Sequence, residues 1–190
     1  MRLTDSKTGY GLVTIINHWA IAVLMLGLIA FGLILEGMPR TPDKGALVGL
    51  HKSLGVLALA LALVRIGWRA WQPAITPFAH QPRWEPTLAR AMHLTLIAAT
   101  ILIPLSGVLS SVFGGRDLTV FGLFTIPALG EVAAVRSVAH VIHGPGSYLV
   151  LALVAGHALV SLKHHFLDRD TTLRRMLTSR VAQGAATPAE

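Results

Sequence analysis

Two histidines fourteen residues apart, His143 and His157, lie in a stretch without a formal charge, residues 137–162. On an α-helix fourteen residues return to within about 40° of the starting direction and rise about 21 Å. The two imidazoles would therefore share one stripe at two heights. His18 and His51 lie in two further apolar runs, 12–35 and 45–64, the second broken only by Lys52. An ionisable side chain inside a membrane span is rare and usually faces the bundle interior, so all four histidines mark candidate sites. With helices alternating in direction, His51 and His143 share an outer level and His18 and His157 an inner one. Imidazoles paired across facing helices suit bis-histidine ligation of haem iron, which fills both axial positions and favours electron transfer over oxygen chemistry. A tetrahedral metal site needs three or four ligands at one point, and residues at two heights do not converge. Two stacked b-type haems are the expectation, each held by one pair.

These residues need spanning helices to position them, and the composition supplies them. The 190-residue chain is 53% hydrophobic and only 13% charged, with a mean hydropathy of +0.63. Soluble domains carry about 25% charged residues, so this is a protein dissolved in lipid. The net charge of +7 would suit nucleic acid in a soluble chain, but the apolar excess argues against such a partner. No cysteine is present, which excludes disulfides, iron–sulfur clusters, thiolate zinc and haem attached through C-x-x-C-H.

A bilayer core of about 30 Å takes roughly 20 apolar residues, and a fourth charge-free run occupies residues 91–115. The expected fold is all-α, an integral membrane four-helix bundle over residues 1–176, with helices at about 12–35, 45–69, 91–113 and 138–163. Residues 177–190 read as a disordered cytoplasmic tail. The first run is too long for a cleavable signal peptide and lacks a small-residue cleavage site. Eleven of the sixteen Lys and Arg fall in the N-terminal tail, the 65–90 connection and the C-terminal tail. The positive-inside rule then places both termini in the cytoplasm, in a multi-pass protein of the bacterial inner membrane. Trp19, Trp68, Trp71 and Trp84 fall near the inner boundaries, where an aromatic belt belongs.

Other residues carry weaker signals. Arg65 follows His51 by fourteen residues, so it points toward the inner site; it either meets a propionate or quinone oxygen or serves as a positive-inside anchor. Lys52 can snorkel to the outer surface, where it would pair with a propionate or attract an anion. His164, seven residues beyond His157, returns to the same stripe and is a candidate for a quinone pocket or a propionate contact, against a plain interfacial role with His165. His93 competes with His18 for the inner site. His140 is off the stripe, and His80 lies in a loop. Gly55, Gly144, Gly146 and Gly156 would leave room for a flat macrocycle or simply let helices pack closely.

The segments Asn17-His18-Trp19, Leu50-His51-Lys52-Ser53-Leu54-Gly55 with Val64-Arg65, Phe121-Gly122-Leu123 to Pro127, His143 to His157 with Lys163-His164-His165-Phe166, and the 170–176 run resemble the bacterial cytochrome b561 family. The resemblance covers residues 12–176 and implies a dihaem four-helix bundle with His18, His51, His143 and His157 at its ligand positions. It further implies an oxidoreductase similar to a superoxide oxidase, carrying electrons from periplasmic superoxide through both haems to membrane ubiquinone. Relatives also serve as cytochrome b subunits linking a periplasmic dehydrogenase or hydrogenase to quinone. A histidine-lined transporter is the alternative of another class. The outer loops carry Arg40, Lys44, Arg116 and Arg136 against Glu36, Asp43, Asp117 and Glu131, so their sum gives no steering field for an anion.

Overall fold

Four helices form in the order expected, and all four are long and apolar enough to cross a membrane. The structure, a computed structural model, describes residues 2–75 and 84–179; His80 and most of the 177–190 tail lie outside the described residues. The helices are α1 (Leu12–Gly37), α2 (Pro42–Trp71), α3 (Trp84–Val112) and α4 (Ala133–Phe166), followed by a single short turn, α5 (Thr172–Arg175). Each spanning helix runs past its charge-free segment. For α2 the reason is local: Thr41 caps the helix by accepting from the Lys44 backbone N–H at 3.2 Å, and Pro42 opens it. A capping hydroxyl and a proline whose missing N–H would be unpaired anyway both favour a start there. α3 begins at Trp84 and includes Glu85 and Arg90 in an entry segment that the charge-free run leaves out.

The core is narrow and built from small and branched side chains. Ile21, Met25, Leu28 and Ile29 of α1 meet Ala58 and Ala62 of α2, Ala99 and Ile103 of α3 and Val150 of α4. Large apolar residues such as Val23, Leu63, Leu94 and Leu159 cover the outside. A soluble bundle would reverse that arrangement, whereas in a bilayer the acyl chains solvate this surface.

Two elements departed from the expectation. The N-terminal residues, read as a tail, form an ordered clasp. The carbonyls of Arg2 and Leu3 accept from the Leu12 and Val13 N–H groups at 2.8 and 3.3 Å, satisfying the otherwise orphaned donors of the first turn of α1. Gly11 is needed there because the Leu3 and Thr4 backbone lies against its Cα. Asp5, buried, accepts from Gly11 N–H at 2.7 Å and pairs with Arg69 at 3.2 Å, and its own N–H donates to Gln72 at 2.8 Å. The N-terminus is thereby tied to the end of α2.

The second departure is an antiparallel hairpin between α3 and α4, β1 (Leu118–Val120) and β2 (Phe124–Ile126), paired Leu118 to Ile126 and Val120 to Phe124. Its turn places Phe121 and Gly122 at φ values of 49° and 72°, with Leu123 N–H donating to the Val120 carbonyl at 2.9 Å. Two successive positive φ values follow the twist of paired strands.

Candidate functional site

At one end of the bundle α2 and α4 face each other through His51 and His143, whose ring centres are 6.0 Å apart and whose planes are nearly perpendicular. Two imidazoles on opposite sides of one metal, each with a metal–nitrogen bond of about 2.0 Å and the ring centre about 1.1 Å beyond, place their centres about 6.2 Å apart. His143 is held from its far side. Its Nδ1 lies 2.8 Å from the Ile103 carbonyl of α3, a group that can only accept, so Nδ1 carries the proton and Nε2 keeps its lone pair. This is the tautomer a metal-binding histidine needs, fixed by a backbone partner.

The neighbouring helices make room for these rings. A methyl group on Gly107 would lie 2.9 Å from the His143 Cε1, and one on Gly32 would lie 3.4 Å from the His51 Cε1. The glycines singled out from sequence behave differently: a methyl on Gly55, Gly144 or Gly156 meets no protein atom within 4 Å, and one on Gly146 meets Ile103. Pro104 in α3 and Pro145 in α4 lie beside this level. Proline removes one rung of the helix ladder, and Ser147, close by, donates its hydroxyl to the His143 carbonyl.

At the other end three histidines meet. His18 of α1 and His157 of α4 have ring centres 6.5 Å apart, and His93 of α3 stands 5.3 Å from His157. Arg65 of α2 places Nη2 at 3.2 Å from His18 Nδ1. The two levels are separated by the fourteen residues between His143 and His157, about 21 Å along α4.

Beyond these levels, the His164 Nδ1 lies 3.0 Å from a carboxylate oxygen of Asp168 and 3.0 Å from one of Asp170. Both oxygens sit off the line of a ring N–H, so the contact is electrostatic rather than a formed hydrogen bond. Lys163 donates to Asp168 at 2.7 Å, which holds that carboxyl below the ordinary carboxylate range. Of the two aspartates, Asp170 enters the sequence reading only as the first residue of the 170–176 run and Asp168 does not enter it, although both lie within six residues of His164. Trp19 donates to the Met176 carbonyl at 2.8 Å, drawing the 170–176 segment under the bundle. Lys52, next to His51 in the chain, is half-buried. His140 is exposed on α4, and His165 packs edge-on against Phe166.

Comparison with known proteins points to one family. The family model for prokaryotic cytochrome b561 matches residues 9–179. Cytochrome b561 homolog 2 of Escherichia coli (strain K12) is 32% identical over 185 residues, covering 93% of this chain and 95% of that protein. The probable superoxide oxidase CybB of Yersinia pestis is 29% identical over 178 residues, covering 90% and 97%. Cytochrome b562 of Cereibacter sphaeroides is 30% identical over 186 residues, covering 92% and 98%.

Proposed function

The chain belongs to the prokaryotic cytochrome b561 family, membrane electron-transfer proteins that bind b-type haem, and from that premise we propose that it oxidises periplasmic superoxide and reduces membrane ubiquinone through two haems. The observation that carries the reading is the pair of histidine levels, with ring centres 6.0 and 6.5 Å apart, close enough for both rings of a pair to hold one iron. His51 and His143 would hold the outer haem and His18 and His157 the inner one. His93, whose ring centre is 5.3 Å from that of His157, lies at the same level and would compete with His18 for the inner iron. The bound haems would supply one-electron carriage between the two faces of the membrane.

The residues around each level have definable work. Superoxide as the donor is supported by the printed name of the Yersinia pestis relative, and Lys52, half-buried next to His51 in the chain, is a cation that would attract a small anion at the outer level. On the inner face Arg65 and His164 would meet a propionate and the quinone. Reducing one quinone to quinol takes two electrons, from two superoxide ions, and two protons. The His164 imidazole, with Asp168 and Asp170 against its Nδ1, is placed to pass those protons from the cytoplasmic side. Inner-membrane insertion with both termini cytoplasmic follows from the basic bias of the same side.

Stopped-flow mixing of the haem-loaded protein with superoxide tests the reading. Haem reduction faster than spontaneous dismutation is the expected result, with quinone then reoxidising the haems. Haems that stay oxidised in superoxide but accept electrons from dithionite would overturn the donor and leave an electron-transfer subunit for a periplasmic dehydrogenase.

A further inference from the structure

Helix α2 carries one serine on the wrong side of the helix for the bundle. Ala58 and Ala62, both fully buried in the core, lie within about 20° of the direction of His51, whereas Ser53 is turned about 160° from it. The same outer stripe continues through Leu57 and Val64, which are exposed and face lipid. Yet Ser53 is only 3% exposed. What covers it is the hairpin: the Ser53 hydroxyl lies 3.3 Å from the Thr119 carbonyl and accepts from the Phe121 N–H at 3.0 Å.

That tie fixes the depth of the hairpin. Ser53 precedes Trp68 by fifteen residues, about 22 Å of helix. If Trp68 marks one interface of an apolar core about 30 Å thick, Ser53 sits about 8 Å inside the other. The turn that bonds to it lies at the same depth. The hairpin is also chemically divided along its length. Arg116, Asp117 and Glu131 stand at its base, and residues 118–130 contain no charge. Leu118 and Val120 face the bundle and are buried, while Phe121, Leu123 and Phe124 project outward, Leu123 with 81% of its surface free.

We propose that the β1–β2 hairpin is a membrane anchor whose turn lies among the acyl chains of the leaflet at the His51 end, against the lipid face of α2. The strand ladder pairs part of its backbone, the Leu123 N–H donates to the Val120 carbonyl, and the Ser53 hydroxyl takes the Phe121 N–H and lies against the Thr119 carbonyl, so that the inner edge is covered by protein, as non-helical backbone at that depth requires. Phe121, Leu123 and Phe124 contact lipid, and the charged base stays at the headgroups. The anchor holds the long α3–α4 connection down beside the outer histidine pair rather than leaving it free in the periplasm. It stands on the four spanning helices and is independent of haem content or substrate.

The absence of cysteine gives a clean test. Leu123→Cys, and separately Phe124→Cys, is spin-labelled in the haem-loaded protein in phosphatidylcholine–phosphatidylglycerol vesicles, with Leu57→Cys as the lipid-facing reference and Arg40→Cys as the aqueous one. Collision with dissolved oxygen is compared with collision with a water-soluble nickel chelate. Both hairpin labels are expected to favour oxygen, giving a ratio of the same sign as Leu57→Cys. Ratios matching Arg40→Cys at both positions would overturn the anchor and leave the turn as an aqueous docking surface for another protein.

Discussion

Gly107→Ala is the sharpest test of how the outer histidine pair is held. The new methyl would lie 2.9 Å from the His143 Cε1 and 3.1 Å from Nδ1, where ordinary carbon contacts begin at about 3.5 Å. The ring must therefore retreat by about half an ångström. It is held by the Nδ1 contact with the Ile103 carbonyl at 2.8 Å, which a retreat of that size would stretch beyond good hydrogen-bond length. Overpacking costs about 1–3 kcal/mol, and the weakened hydrogen bond about 0.5–1.5 kcal/mol. Against this, replacing a helical glycine by alanine returns up to about 1 kcal/mol of intrinsic propensity. The balance is a loss of about 0.5–3.5 kcal/mol at the outer site, which is roughly a 2- to 400-fold weaker hold on its haem. Haem per protein from the pyridine haemochrome, with a redox-resolved Soret spectrum, should show one component depleted and the other intact. Gly67→Ala is the control, since its methyl meets no protein atom and it is exposed on the side of α2 turned about 160° from His51. A Gly107→Ala protein that keeps both components as fully as Gly67→Ala would refute the reasoning.

The ligand pairing makes its own prediction: His51→Ala and His143→Ala should deplete one spectral component and His18→Ala and His157→Ala the other, and a component lost in both His51→Ala and His18→Ala would break the assignment. Asp168→Asn with Asp170→Asn should slow haem reoxidation by quinone several-fold, more so as pH rises and protons grow scarce, while leaving reduction by superoxide unchanged; an unchanged pH profile would remove the carboxylates from proton delivery. Asp5→Asn keeps one acceptor but loses the charge that Arg69 meets at 3.2 Å, so it should cost about 1–3 kcal/mol and lower the thermal unfolding midpoint in detergent. Burial pushes the Tyr10 phenol above its usual value, with the nearby Arg69 pulling the other way. The folded state then keeps its proton longer than the unfolded one, so this contribution to stability is full below about pH 10 and falls as pH rises through the folded value, which an alkaline melting series would read.

Much of this arrangement was readable in the sequence because the relevant signals repeat within one helix. The fourteen-residue spacing of His143 and His157 depends only on helix geometry, and the charge-free runs locate the spans without knowledge of neighbours. Contacts between elements were less legible. Gly32 and Gly107 crowd the histidine rings while Gly55 and Gly144 do not, and that distinction depends on how α1 and α3 are rotated against α2 and α4. The clasp at residues 2–11 was invisible because its caps are backbone carbonyls of Arg2 and Leu3, which carry no side-chain signature. The hairpin escaped notice because its strands are three residues each and its turn uses Phe121 at positive φ instead of asparagine or aspartate.

The two histidine levels also differ in readiness. His143 has its proton on Nδ1, directed at the Ile103 carbonyl, so Nε2 keeps its lone pair. His18 is in the opposite condition: a guanidinium has no acceptor, so the 3.2 Å contact from Arg65 makes Nδ1 the lone-pair nitrogen and puts the proton on Nε2. A histidine that binds a metal through Nε2 carries its proton on Nδ1, where it would confront the N–H of Arg65. On the two-haem reading the outer site therefore closes on its cofactor without internal rearrangement, whereas filling the inner site requires Arg65 to leave His18. The guanidinium so released remains half-buried inside the bundle, where an unpaired charge is costly. A carboxylate arriving with the cofactor would satisfy it, which makes the Arg65 contact with a propionate a consequence of ligation by His18 rather than a separate assumption.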